Sequence, residues 1–227
     1  MEFMLDNANI TELENCLEIF PITGVTSNPS ILKAEGDVPF FETLRAIREL
    51  IGTERSLHVQ VTAADAAGMV AEGRCIREKI GSDVYIKVPV NEDGLKAIRV
   101  LKAEGAGITA TAIYSKLQGF MAIAAGADFI APYCNRMANI DVDFRASIAA
   151  FRQVIDENDA PTKILAASFH SVEQVNDALV AGAHAATVQP SLLHGAFAAG
   201  SIKEALDGFA RDWAAIRGER TICELDA

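Results

Sequence analysis

The chain has 227 residues, half of them hydrophobic, and carries 20 basic against 31 acidic side chains for a formal net charge of -11. A chain of this size buries a substantial core as one large domain or two small ones. Its acidity, with no basic run to follow a phosphate backbone, argues against a nucleic-acid partner.

The opening residues, MEFMLDNANI, lack the basic region and long apolar stretch of a signal peptide. No apolar run approaches the roughly 20 residues of a membrane helix, so the expectation is a cytoplasmic protein without a membrane partner. Cys16, Cys75, Cys134 and Cys223 are widely spaced and form no CxxC pair, which predicts reduced thiols rather than a zinc knuckle or a disulfide framework.

In chain order, short apolar runs alternate with longer segments of helical period. EFMLD (2–6) ends on Asp6, and GVTSN (24–28) carries Thr26 and Asn28 just before Pro29. LHVQV (57–61) brings Gln60. The helix expected over 64–80 follows, with Ala66, Met69, Val70, Gly73, Ile76 and Ile80 recurring at helical spacing. VYIKV (84–88) places Lys87 among aliphatic residues, ahead of a helix over 94–102. GITATA (107–112) carries Thr111, and DFIAPY (128–133) ends on Tyr133, with Asn135 and Arg136 next. After a helix over 147–155 come KILAAS (163–168), ending on Ser168, and AATVQP (185–190). The last segment, 201–217, aligns Ile202, Ala205, Leu206, Phe209, Trp213 and Ile216 in one stripe, and Ser201 with Glu204 has the spacing of a capping box. That stripe either closes the outer ring of the fold or packs on a neighbouring subunit.

About eight strand-then-helix units predict a single-domain (β/α)8 TIM barrel over 1–200, with an additional C-terminal helix and tail over 201–227. A doubly wound open sheet alternates in the same way. Against it stand the absence of GxGxxG after the first strand and of any linker dividing the chain. In a barrel the active site is assembled from the C-terminal ends of the strands, where Asp6, Thr26, Asn28, Gln60, Lys87, Thr111, Tyr133, Asn135, Arg136 and Ser168 converge. Each has a plainer reading: Asp6 as a helix cap, Asn28 as a turn residue, Thr111 as packing and Arg136 as a surface ion pair.

Lys87 carries the strongest signal. An inward-facing lysine in a water-poor barrel falls from about 10.4 toward roughly 7 to 8 in pKa, and its neutral amine attacks a ketone to form a Schiff base. The plainer alternative is a buried ion pair, with Asp6 as the partner. The four histidines form no HxH or HExxH, and neither a GxSxG elbow nor a P-loop is present, so carbonyl chemistry fits better than metal chemistry. Arg136 and Ser168 suit a phosphate, Tyr133 offers a phenolic proton, and Gln60 with Thr111 can hold a water beside it.

GVTSNPSI around Asn28, VYIKVPVNEDGLKAI around Lys87, ITATAIYS around Thr111, APYCNR around Arg136 and LAASF around Ser168 resemble the transaldolase family. The likeness is to its small branch, which includes aldolases acting on fructose 6-phosphate, and runs in order from LDNANI to GERTI. It implies a class I aldol mechanism with Lys87 as the Schiff-base lysine and no metal or organic cofactor. Asp6 and Asn28 would hold donor hydroxyls and assist proton movement. Gln60, Thr111 and Tyr133 would surround a catalytic water, and Arg136 with Ser168 would take the phosphate of the aldehyde.

Small members of the family form decamers of two pentameric rings, which implies a homo-oligomer. Transaldolases resemble one another in having glutamate where this chain has Gln60, phenylalanine where it has Tyr133 and serine where it has Ala131. All three therefore favour cleavage of fructose 6-phosphate over transfer of a dihydroxyacetone unit between sugar phosphates. The chain departs from the family at His170, where Arg or Lys is usual beside the phosphate, and at Thr109, where a larger apolar residue is usual. Outside catalysis, the alternative is a sugar-phosphate-binding protein on the same fold.

Overall fold

The computed structural model describes residues 1–225. Its strands are β1 (Glu2–Asp6), β2 (Ile22–Thr26), β3 (Ser56–Gln60), β4 (Tyr85–Pro89), β5 (Gly107–Ile113), β6 (Phe129–Pro132), β7 (Lys163–Ala166) and β8 (Ala185–Val188). All eight expected strands are present, and they pair in parallel and in sequence order into a closed barrel, so the open-sheet alternative does not apply. Around them run α1 (Ile10–Ile19), α2 (Pro29–Ala34), α3 (Phe40–Ile51), α4 (Ala66–Lys79), α5 (Glu92–Ala103), α6 (Lys116–Ala124), α7 (Cys134–Ala138), α8 (Phe144–Glu157) and α9 (Val172–Val180). The helices expected over 64–80, 94–102 and 147–155 correspond to α4, α5 and α8.

Short polar residues start these helices. Asn9, Asn28, Asp65, Asn91, Asp143 and Ser171 each accept a backbone N–H of the first turn, and Ser115 with Gln118 forms a complete capping box at α6. Between strands and helices lies an apolar core that includes Leu57, Ile86, Ile98, Leu101 and Phe151, all fully buried. Each such side chain contributes about 1.5–3 kcal/mol. Ile86 faces the helices, since a Cβ on Gly73 of α4 would lie 3.4 Å from its Cγ2. Alternation along β4 then turns Lys87 inward. At the end of β4, α5 begins so close that a Cβ on Gly94 would fall 1.8 Å from the carbonyl oxygen of Pro89, so only glycine fits there.

The register sorts the inward side chains into layers drawn from alternate strands. Asp6, Gln60 and Thr111 form the upper layer, with Thr26, Lys87, Ala131 and Thr187 beneath them. Met4, His58, Thr109 and Leu165 lie below, and Tyr85, Phe129 and Ala185 fill the bottom, where Met4, Phe129, Leu165 and Ala185 pack as one cluster. Two side-chain bonds that each skip a strand bear this out: Thr26 to Thr187 and His58 to Thr109, both 2.7 Å.

The chain forms two compact units, Met1–Pro190, which contains the barrel, and Ser191–Ala227. The second holds most of α10 (Pro190–Phe197) and all of α11 (Gly200–Arg217). Helix α11 carries the expected stripe, with Ile202, Leu206, Phe209 and Ile216 exposed. Its capping box is not where the sequence suggested. The helix starts at Gly200 with Ala199 as a cap that makes no side-chain bond, so Ser201 is already inside the first turn and cannot serve as N-cap. A complete box forms instead between Thr221 and Glu224, which open a short 3-10 turn. Trp213 donates its indole N–H to the Arg220 carbonyl at 2.7 Å.

Candidate active site

Lys87 is 4 % exposed, and its Nζ donates to the backbone carbonyl of Ser27 at 2.9 Å. Burial pushes the amine below the usual lysine range, and the charge of Asp6 acts in the opposite sense. The buried ion pair is not formed. Asp6 instead accepts the Thr26 hydroxyl at 2.6 Å, and Thr26 shares a further hydrogen with Thr187. Asp6 does not cap a helix either, because α1 is capped by Asn9. Burial pushes its carboxyl above the usual carboxylate range, with Lys87 and then Thr26 opposing. Desolvation therefore moves both groups toward their uncharged forms.

Gln60 is the register partner of Lys87 on the neighbouring strand, and its buried Oε1 has no hydrogen-bond partner among the described residues. An orphaned acceptor of this kind is costly to bury and marks a place where a water or substrate hydroxyl gains most. Thr111 and Tyr133 do meet: the threonine hydroxyl donates to the phenol oxygen at 3.0 Å. Burial raises the Tyr133 phenol above its ordinary pKa, and the Thr111 bond opposes that shift. Beside Thr111, Ala112 has φ 57°, a left-handed backbone that non-glycine residues seldom hold.

The sequence placed Asn28, Tyr133 and Ser168 at strand termini. All three sit just beyond the strands, Tyr133 still joined to Ala167 by an isolated parallel bridge, and Asn28 and Ser168 where the chain is turning. Asn28 caps α2, its carbonyl oxygen accepting from the N–H groups of Ser30 and Ile31 at 2.9 and 3.1 Å, which leaves its amide N–H groups as donors. The turn-forming reading of Asn28 is thus the one its hydrogen bonds show. Ser168 has φ 62°, and its carbonyl accepts the Asn135 N–H at 2.8 Å, which draws the β7 loop against the start of α7. Gln174 reinforces that contact by bonding the Asn135 side chain at 3.0 Å and the backbone N–H of His170 at 2.8 Å. His170 itself is exposed.

Arg136 is exposed at the same rim and pairs with no carboxylate among the described residues. Its guanidinium lies 5.0 Å from the Tyr133 ring centroid and donates to the Tyr114 phenol at 3.3 Å. Tyr114 packs edge-on against Tyr133 at 5.8 Å. Sequence reasoning assigned Tyr114 nothing, although it lies three residues beyond Thr111. Thr187 and the Ser27 carbonyl were also missed, for want of any motif to mark them. Cys134, next to Tyr133, is fully buried, and burial holds its thiol at about 12, so it is packed rather than reactive. Among the described residues no group of three or more His, Cys, Asp or Glu side chains is placed to hold a metal ion.

The site therefore sets a desolvated amine at the bottom of a cup, with a carboxyl, a phenol and an orphaned amide oxygen above it and an arginine at the lip. Comparison with known proteins points the same way. A family model described as transaldolase/fructose-6-phosphate aldolase matches residues 3–220. A probable fructose-6-phosphate aldolase of Streptococcus pneumoniae (strain ATCC 700669 / Spain 23F-1) is 50 % identical over 222 residues, spanning 98 % of this chain and all of that protein. Among solved structures, one described as native KDPGal aligns with a TM-score of 0.58 at 12 % identity over 82 % of this chain and 81 % of the other, which shows the shared barrel fold alone. The chain belongs to the transaldolase/fructose-6-phosphate aldolase family.

Proposed function

We propose that the protein is a Schiff-base aldolase that reversibly cleaves fructose 6-phosphate to dihydroxyacetone and glyceraldehyde 3-phosphate. The observation that carries this reading is Lys87, an amine pushed toward its neutral, nucleophilic form by burial, with no carboxylate bonded to it among the described residues.

In this reading Lys87 Nζ attacks the C2 carbonyl of the sugar, and loss of water from the carbinolamine gives an iminium. A base takes the proton from the C4 hydroxyl, the C3–C4 bond breaks, and its electron pair moves into the iminium to form an enamine. Glyceraldehyde 3-phosphate leaves, C3 is protonated, and water releases dihydroxyacetone and the free amine.

In this reading the Tyr133 phenol, held by Thr111, and the orphaned Gln60 oxygen bind and orient the water that carries these protons. Asp6, its carboxyl raised by burial above the usual carboxylate range, exchanges a proton with the carbinolamine, while Thr26 fixes its orientation. The amide N–H groups of Asn28 hold donor hydroxyls. Arg136, Ser168 and His170 take the phosphate. Anionic sugar phosphates are drawn to this rim although the chain as a whole is acidic.

Release of glyceraldehyde 3-phosphate from fructose 6-phosphate, with and without erythrose 4-phosphate, tests the reading. Release without the acceptor is expected; product only in its presence would make the protein a transaldolase. Trapping with borohydride and hydroxyacetone should add mass to Lys87, and no added mass would leave only a sugar-phosphate-binding protein.

We further propose a homo-oligomer, pentameric or decameric, in which the exposed stripe of α11 meets a second copy of the chain, and a cytoplasmic location. Among the described residues no helix is long and apolar enough to cross a membrane. A monomer in sedimentation velocity would refute the assembly.

A further inference from the structure

Directly below Lys87 the barrel interior is polar. His58 of β3 and Thr109 of β5 flank β4, and their side chains meet inside the barrel, Nδ1 to Oγ1 at 2.7 Å, in the layer between Tyr85 and Lys87. On its other side the imidazole Nε2 lies 2.9 Å from Ser56 Oγ, whose hydroxyl reaches Met4 Sδ at 3.8 Å. Tyr85 stacks on the ring at 4.8 Å with an interplanar angle of 13°, and Phe129 meets it edge-on at 5.1 Å. His58 and Thr109 are both fully buried.

One tautomer satisfies all of these bonds together. A thioether sulfur only accepts, so Ser56 donates to Met4 and its oxygen receives the Nε2 hydrogen. Nδ1 is left with its lone pair and takes the hydroxyl hydrogen of Thr109. The lone pairs of Thr109 then remain on an oxygen in register with Lys87.

We propose that this His58–Thr109 strap is a positioning device for the Schiff-base lysine. It supports the Lys87 stem from below and presents electron-rich atoms, and no competing cation, to the layer in which the iminium forms. The inference rests on the Schiff-base reading of Lys87. Burial first, and then the charge of Lys87, hold His58 at about 3, so the strap stays neutral wherever the enzyme works. The titratable groups facing Lys87 are Asp6 from β1 and His58 from β3. The other side chains of its own layer, Thr26, Ala131 and Thr187, carry no charge. Tyr85 stacks beneath His58, while Tyr133 and Arg136 act on Asp6 or through it.

The test is the pH profile of borohydride trapping with hydroxyacetone, in the full-length protein. Thr109→Val removes the hydroxyl at nearly constant volume. It should move the acid limb down by roughly half a pH unit and raise the half-saturating hydroxyacetone concentration about three- to tenfold. Thr109→Ser should restore both. His58→Phe, which keeps a ring for Tyr85 to stack on, should match Thr109→Val. Nitrogen-15 spectra of the wild type should show His58 as the neutral Nε2–H tautomer throughout.

A wild-type profile in Thr109→Val would overturn the proposal. So would a His58 that titrates near its ordinary value. A wild type that traps nothing would defeat the Schiff-base reading and the strap's role with it, an outcome recognisable because all variants then fail alike.

Discussion

The floor and the lip of the cup treat charge in opposite ways. At the floor, burial pushes Lys87 down and, in the layer just above it, Asp6 up, which moves both toward their uncharged forms, and the groups around them are hydroxyls and a neutral imidazole. At the lip, Arg136 stays fully charged in contact with solvent, steadied by Tyr114 and the Tyr133 ring. The contrast divides the work. Nucleophilic attack needs an uncharged amine out of water, whereas capture of an anion needs a permanent cation that water can reach. Tyr133 belongs to both regions, since its phenol bonds Thr111 and its ring carries the guanidinium.

Removing the nucleophile breaks the floor most severely. Lys87→Met fills the same space without an amine and should leave the fold intact while lowering turnover by about 10⁴-fold or more. Activity within tenfold of the wild type would remove Lys87 from the mechanism.

Acid stability tests the floor without substrate. His58 has a folded pKa of about 3 against an ordinary 6.5, so the unfolded state binds the extra proton between those values and stability falls as pH drops through that window. The slope is about 1.4 kcal/mol per pH unit. Asp6, raised in the folded state, works in the opposite direction, but only above its unfolded pKa. Denaturant titrations should therefore show the wild type losing several kcal/mol relative to His58→Phe between about pH 6.5 and 3. Parallel curves would mean that His58 is not held neutral.

At the junction of floor and lip, Tyr133→Phe keeps the ring under Arg136 and deletes the phenol. Cleavage should slow by about 10²-fold if the phenol handles the proton. A near-normal rate would move that task to Asp6 or Gln60.

The difference between the regions also governs what the sequence discloses. Strand ends are legible because alternation fixes which residues face inward, and Asp6, Gln60, Lys87 and Thr111 could be turned into the barrel from that alone, although Lys87 lies a layer deeper than the other three. Residues beyond the strands were placed less well. Asn28 commits its side-chain oxygen to a helix cap, and Ser168 holds a left-handed backbone that no local signal announces.

The His58–Thr109 bond was invisible for another reason. It skips β4, so it depends on the stagger of a closed barrel rather than on any spacing along the chain. The misplaced cap at α11 shows the limit of a short motif: Ser201 and Glu204 have the right separation, but the helix starts two residues too early for them to use it.

The smallest effect expected is at the lip. The Tyr114 phenol accepts one hydrogen bond from an exposed guanidinium, and such a bond is worth well under 1.5 kcal/mol. Its value lies in orientation, because the same guanidinium lies over Tyr133 and opposes the burial that raises the phenol's pKa. Tyr114→Phe keeps the edge-on packing and frees the arginine. The Michaelis constant for glyceraldehyde 3-phosphate in the synthetic direction should rise about two- to fivefold, while that for unphosphorylated glyceraldehyde stays put. Equal losses with both aldehydes would place Tyr114 with the floor chemistry instead, and the division between a neutral floor and a charged lip would then fail at the residue that joins them.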